Sequence, residues 1–244
     1  IPAGQRGCDH GRDCVGVVMT VTYHPNLIQG SDEWMATRCG MLTASEMKLI
    51  LTPTLKMANN DKTRAHVFEL LFQRMTGYVE PQYVSDAMLR GQEDEIYARA
   101  AYSEHFEPVA EVGFITNAQW GFTLGYSPDG CIGADGLVEI KSRCGKYQVQ
   151  TIAEDAVPDE YMIQLQTGLL VSGRKWIDFI SYCGGLPMFV KRVEPDPEIQ
   201  DAIVAAATAF EVKLAEMEQS YRSTLVNMRK VIETERRSDM EIII

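Results

Sequence analysis

The stretch SPDGCIGADGLVEIKSR, Ser127 to Arg143, sets an acid after a proline, then a glycine-bearing turn, then Glu139 and Lys141 on either side of one apolar residue. Residues two apart on a strand point to one face. Glu139 and Lys141 therefore project together, while Val138 and Ile140 enter a core on the other side. Gly133 and Gly136, around Ala134 and Asp135, suit a tight connection that returns the chain beside Asp129. Two carboxylates and a lysine then converge on one point.

Outward from this hairpin the chain reads as strands. VAEVGFIT and WGFTLGYSPD before it, and KWIDFISYC and MFVKRVE after it, are short, rich in Val, Ile, Phe and Tyr, and bounded by Gly, Pro or Asp. Helices surround them. TASEMKLILT has Thr43 and Glu46 as a capping box before Met47, Ile50 and Leu51, which predicts a short helix. DKTRAHVFELLFQRMTG carries Val67, Leu70, Leu71 and Met75 on one face and stops at Gly77. A third helix spans roughly Ser85 to Glu107, and PDEYMIQLQTGLLVSG makes an amphipathic crossover after Pro158. The last helix starts with Asp196 as cap and Pro197 in its first turn. Its apolar residues Ile203, Ala207, Phe210, Leu214, Met217 and Tyr221 form a seam for its own sheet or for another subunit. This order predicts an α/β (α+β) fold with one central mixed β-sheet flanked by helices.

With 244 residues, 45% of them apolar, the chain suits one domain, expected over 19–235. Residues 1–18 have no helical or strand period and read as a non-native or disordered extension, with Met19 read as the natural start; 236–244 read as a flexible tail. No run of eighteen apolar residues occurs, and a soluble intracellular protein is expected. The six cysteines include no CxxC pair and the four histidines are scattered, so reduced thiols and no zinc site are expected. The net charge of −11 argues against nucleic acid only weakly. A binding cleft needs a local positive field, and a metal site itself needs clustered acids.

Carboxylates placed like Asp129 and Glu139 suit a hard ion such as Mg²⁺, held by one or two acids, waters and a substrate phosphate. A protonated lysine beside them is no ligand, but it can act on an attacking water or on the charge of a transferring phosphoryl group. Such a site hydrolyses phosphodiesters. For an isolated E-x-K a solvated strand face is the commoner explanation. Here the P-D, the Gly turn and the apolar-E-apolar-K occur together between apolar strands.

This pattern matches the PD-(D/E)xK nuclease motif, and the chain resembles the phage lambda exonuclease family, the YqaJ-like viral recombinases. QGSDEWMATRCGMLTASEM (Gln29 to Met47) resembles the family's opening block, RGQEDE (Arg90 to Glu95) its G-x-x-x-E helix, and EYMIQLQTGLLVSG (Glu160 to Gly173) its Y-x-x-Q-x-Q helix. The four blocks stand in the family's order over roughly residues 28 to 195. After the lysine this chain departs from the family's C-P and has Ser142 and Arg143 instead.

The resemblance implies a restriction-endonuclease-like core. It also implies that Asp129, Glu139, the Ile140 carbonyl and Glu95 hold metal, two Mg²⁺ ions with Mn²⁺ as substitute. Lys141 would act on the attacking water and Gln164 would complete the motif. For Glu95 alone, a solvated helix face is the alternative. Arg38, Ser45 and Ser127 match positions that hold the 5′ phosphate of the digested strand; Arg offers a fork of donors, and Ser45 also suits a helix cap. Met88 matches an apolar wedge at the duplex end, with core packing as the alternative. The implied activity is 5′-to-3′ digestion of linear double-stranded DNA that leaves 3′ overhangs for annealing. A homotrimeric ring, a phage single-strand annealing partner and a phage or prophage gene expressed in the bacterial cytoplasm are implied with it. The competing readings are a restriction or repair endonuclease and a non-catalytic DNA-end-binding protein.

Overall fold

Residues 21–81 and 85–236 are described in the computed structural model. The extension 1–18, the start at Met19 and the tail from 237 onward lie outside the described residues. The strands form two four-stranded sheets and not one. The first runs in the order β1 (Val21–His24), β3 (Phe114–Asn117), β4 (Leu124–Tyr126), β2 (Leu42–Thr43). The second runs β5 (Gly130–Ile132), β6 (Gly136–Ser142), β7 (Trp176–Tyr182), β8 (Phe189–Val193). Each is mixed: β2 pairs parallel with β4, and β6 parallel with β7, while the other pairs are antiparallel. The fold is α+β, with helices flanking mixed sheets.

The helices begin and end on local signals. Asn60 accepts from the Thr63 amide ahead of α2 (Asp61–Thr76), which ends at Gly77 with φ 62°. Ser85 caps α3 (Asp86–His105), and α5 (Asp159–Ser172) follows Pro158 and stops at Gly173. Asp196 accepts from the amides of Glu198 and Ile199 at the start of α6 (Pro197–Asn227). Two further helices were not predicted: α1 (Asp32–Arg38), capped by Ser31, and α4 (Gly145–Glu154). The helix expected over TASEMKLILT is a 3-10 turn, Met47–Leu49. Glu46 folds back onto the Thr43 amide and hydroxyl, and Leu51 bridges to Met57, so the chain turns away before a second helical turn.

The second sheet is buried on both faces. Leu137, Ile177 and Phe179 face a core shared with α2, α5 and α6, including Leu70, Leu165, Ile203 and Phe210. Val138, Ile140 and Ile180 face α3 through Ala98 and Tyr102. Phe179 is fully buried, and its truncation to Ala costs about 3–5 kcal/mol. The seam of α6 packs on α2 and α5 within the chain, and Tyr221 at its far end is exposed. Two strand faces covered by different helices, with β4 and β5 joined through Ser127-Pro128-Asp129, place one edge of β6 beside the turn that carries Asp129.

Candidate active site

Glu139 sits in mid-β6 and is 2% exposed. A carboxylate so buried needs partners, and it has three. Its Oε1 accepts from Lys141 Nζ at 2.6 Å and Gln164 Nε2 at 2.5 Å, and its Oε2 from the Tyr126 hydroxyl at 2.8 Å. Asp129, half-buried, turns Oδ2 to the Ile140 amide at 2.6 Å. That bond ties the P-D turn to β6. Asp129, Glu139, Ile140, Lys141 and Gln164 are therefore brought together.

The charges are not balanced. Burial pushes the Asp129 carboxyl well above the usual carboxylate range, and the nearby Glu139 and Glu95 push it further, against Lys141 and the Ile140 amide. Burial works to lower the Lys141 pKa, but Glu139 and Asp129 outweigh it and push it up to about 12. Lys141 is an ammonium, lying 5.6 Å from the centre of the Tyr161 ring. Uncompensated acid beside all-oxygen donors is what a hard divalent cation relieves. The donor set of Asp129, Glu139 and the Ile140 carbonyl fits such an ion.

Glu95 lies near this group but is hydrogen-bonded to Arg99 and not to its members. It approaches from α3, on the Val138–Ile140 side of the sheet, and its carboxylate is bound by Arg99 one turn along the helix. Arg99 also reaches Glu111 at 2.5 Å. Burial raises the Glu95 pKa against the pull of Arg99. Among the described residues no three acidic, His or Cys side chains form one metal-holding group. Glu95 and Asp129 nevertheless line one cleft of about 820 Å³, with Gln92, Arg99 and Glu111. The i,i+4 spacing of Glu95 and Arg99 was a readable sign of their pairing.

On the other side lies a small pocket of about 40 Å³ lined by Arg38, Thr43, Ala44, Ser45, Tyr126, Ser127 and Gln164. Helix α1 supplies Arg38, whose guanidinium lies over the Trp34 ring at 4.3 Å and reaches Thr43 Oγ1 at 3.3 Å and Glu46 at 3.5 Å. Burial lowers the Arg38 pKa, against Glu46 and Glu69. Trp34 Nε1 donates to Ser127 Oγ at 3.1 Å and to the Gly113 carbonyl at 3.2 Å. Arg38, Ser45 and Ser127 thus share one pocket, which Thr43 and Tyr126 also line, and Trp34 contacts Arg38 and Ser127 from beside it. For Tyr126 the signal was available: a tyrosine in a short buried strand needs a partner for its hydroxyl. Met88 lies in the first turn of α3 and is 48% exposed, so it is not core. Ser142 donates to Asp94, and Arg143 donates to Tyr161 at 2.6 Å and Glu160 at 3.0 Å.

The YqaJ-like viral recombinase domain model matches residues 33–175. Among solved structures the chain is similar to LHK-Exo, an alkaline exonuclease from Laribacter hongkongensis. The identity is 32%, covering 80% of this chain and 100% of that one, with a TM-score of 0.65. The structure of LHK-Exo in complex with dAMP gives 33% identity over the same shares and a TM-score of 0.66. A phage related exonuclease from Haemophilus somnus 129PT shares the fold, at 15% identity, 72% and 96% coverage and a TM-score of 0.50. The comparison with curated proteins finds no match. No helix among the described residues is long and apolar enough to cross a membrane.

Proposed function

We propose, because this chain belongs to the YqaJ-like viral recombinase family, that it digests one strand of linear duplex DNA from its 5′ end and leaves a 3′ single strand for annealing. The family and the alkaline exonuclease neighbours make the chain a nuclease acting on DNA. The observation that supports the direction is the sharing of Gln164 and Tyr126 between the Arg38–Ser45–Ser127 pocket and the Glu139 carboxylate. A terminal phosphate held in that pocket leaves the first phosphodiester of the strand beside Asp129 and Glu139. An internal stretch of DNA has no phosphate end to fill it. The dAMP bound by LHK-Exo is the kind of mononucleotide that stepwise digestion releases.

Asp129, Glu139 and the Ile140 carbonyl would hold Mg²⁺, or Mn²⁺ in its place, with Glu95 available for a second ion from across the cleft. Such an ion, when bound, stabilises charge on the phosphoryl oxygens and lowers the pKa of water. Lys141, protonated and bonded to Glu139, holds the attacking water by donation and offsets the developing negative charge. Arg38 grips the end phosphate with its fork of donors, Ser45 and Ser127 add hydroxyls, and Met88 meets the duplex end as an exposed apolar side chain. A ring of three copies would need positive charge only on its inner rim, which reconciles DNA with a net charge of −11. The partner that takes the 3′ strand is a single-strand annealing protein, in the cytoplasm of a bacterial host.

Digestion of linear duplex in Mg²⁺, with none in EDTA and none of covalently closed circles, is the expected result. Cutting of closed circles would instead identify an endonuclease.

A further inference from the structure

Tyr126 ends β4, one residue before Ser127, and its side chain is 1% exposed. Of the three donors to Glu139 it alone holds Oε2. Lys141 and Gln164 reach Oε1 on long, flexible side chains, whereas the tyrosine hydroxyl is fixed by a ring. That ring is seated against α5: a Cβ at Gly168 would lie 2.8 Å from the Tyr126 Cζ and 2.9 Å from its Cε1. Glycine is unfavourable inside a helix, and the close approach of the ring accounts for it here. Burial, and then Glu139, push the Tyr126 pKa well above the usual phenol value, so the hydroxyl remains a donor.

We infer that Tyr126 is a positioning residue: braced on Gly168, it fixes the orientation of the Glu139 carboxylate toward the cation and sets its distance from the strand-end pocket it also lines. The inference rests on the reading of Glu139 as a metal ligand. Rotation of an unbraced carboxylate leaves the ion and the scissile phosphate poorly placed without altering the grip of Arg38 on the strand end. The consequence falls on metal affinity and turnover, and not on capture of DNA.

Tyr126→Phe removes the hydroxyl and keeps the ring. Calorimetric titration of the full chain with Mn²⁺ alone, in the absence of DNA, is expected to show binding weaker by about tenfold or more, the effect of losing one hydrogen bond to a charged group. In digestion of 5′-phosphorylated duplex, kcat should fall by a similar factor while KM stays within about twofold. Gly168→Ala keeps the hydroxyl but displaces the ring, so it should weaken Mn²⁺ binding and lower kcat in the same way; because the ring also lines the strand-end pocket, KM should rise in this variant and not in Tyr126→Phe. The double variant should be little worse than either single one. Wild-type Mn²⁺ affinity and kcat in Tyr126→Phe, or in Gly168→Ala, overturn the inference. A wild-type chain that binds no Mn²⁺ overturns the metal reading itself, and the inference falls with it.

Discussion

Gln164, from α5, donates to Oε1 of Glu139 at 2.5 Å while its side chain also lines the pocket of Arg38, Ser45 and Ser127. One amide thus touches the carboxylate of the proposed metal centre and the wall of the proposed strand-end site. The two sites are neighbours through a helix whose register is set by Pro158 at its start and Gly173 at its end. A change that slides α5 disturbs both together.

Asp129→Ala, Glu139→Ala and Lys141→Ala should each abolish hydrolysis in a gel assay with linear duplex and Mg²⁺. Ca²⁺ should support DNA binding with little turnover, because its looser coordination positions the attacking water poorly. Full activity in EDTA would refute the mechanism.

Asp129→Asn should stabilise the metal-free protein. The native carboxyl, raised by burial, Glu139 and Glu95, holds its proton where the unfolded chain has released it. Stability therefore falls as pH rises through the window between the ordinary carboxylate value and the raised one. An amide still accepts from the Ile140 amide but carries no charge. In EDTA at about pH 8 the variant should melt above wild type, with the gap closing toward about pH 4. Mg²⁺ should raise the wild-type Tm at the higher pH and leave the variant nearly unmoved. A variant that melts lower than wild type at the higher pH contradicts the charge account.

Arg38 separates end recognition from chemistry. Wild type should digest 5′-phosphorylated duplex much faster than the same duplex ending in a hydroxyl, and Arg38→Ala should lose that preference. Charge-assisted hydrogen bonds are worth about 1.5–3 kcal/mol each, so about ten- to a hundredfold of discrimination should go. Ser45→Ala should act more weakly, and Mn²⁺ binding should be unchanged in both. Arg38→Ala that keeps the full preference shows the phosphate pocket to lie elsewhere.

Light scattering should report about three chains per particle, the closed cyclic arrangement that carries DNA through a central opening. A monomer that digests long duplex without dissociating removes the ring, and a co-encoded annealing protein that fails to bind in pull-down removes that partner.

The parts of this fold that are legible in sequence have local causes. Helix α2 announces itself through Val67, Leu70, Leu71 and Met75 on one face and Gly77 at its end, and α6 through Asp196 and Pro197. Helix α4 does not, because it reverses the usual pattern: Gln148 and Thr151 are buried while Tyr147, Val149 and Ile152 are exposed. Gln148 is satisfied by hydrogen bonds to Ser181 and to the Pro187 carbonyl. Helix α1 has seven residues and none buried, too few for a period, yet it carries Trp34 and Arg38. The division into two sheets depends on which distant strands pair, which no local pattern states. In the site, strand spacing reveals the Asp129–Glu139–Lys141 group, and family resemblance points to Arg38, Ser45 and Ser127. Tyr126 escapes because its strand reads as core, although its buried hydroxyl needs a partner; the sequence does not show that the partner is Glu139. Asp178 shows the converse: a buried acid on β7 that is satisfied by Tyr102 at 2.6 Å and by Arg192 at 2.8 and 2.9 Å, a structural ion pair away from the cleft.

The most direct test of 5′-to-3′ digestion is a time course on linear duplex that carries a 5′ phosphate on one strand only, that strand being labelled at either its 5′ or its 3′ end, in Mg²⁺. The 5′ label should appear at once as mononucleotide, while the 3′ label stays in a strand that shortens gradually and its complement survives as single-stranded DNA. Early release of the 3′ label, or of internal fragments, contradicts the account.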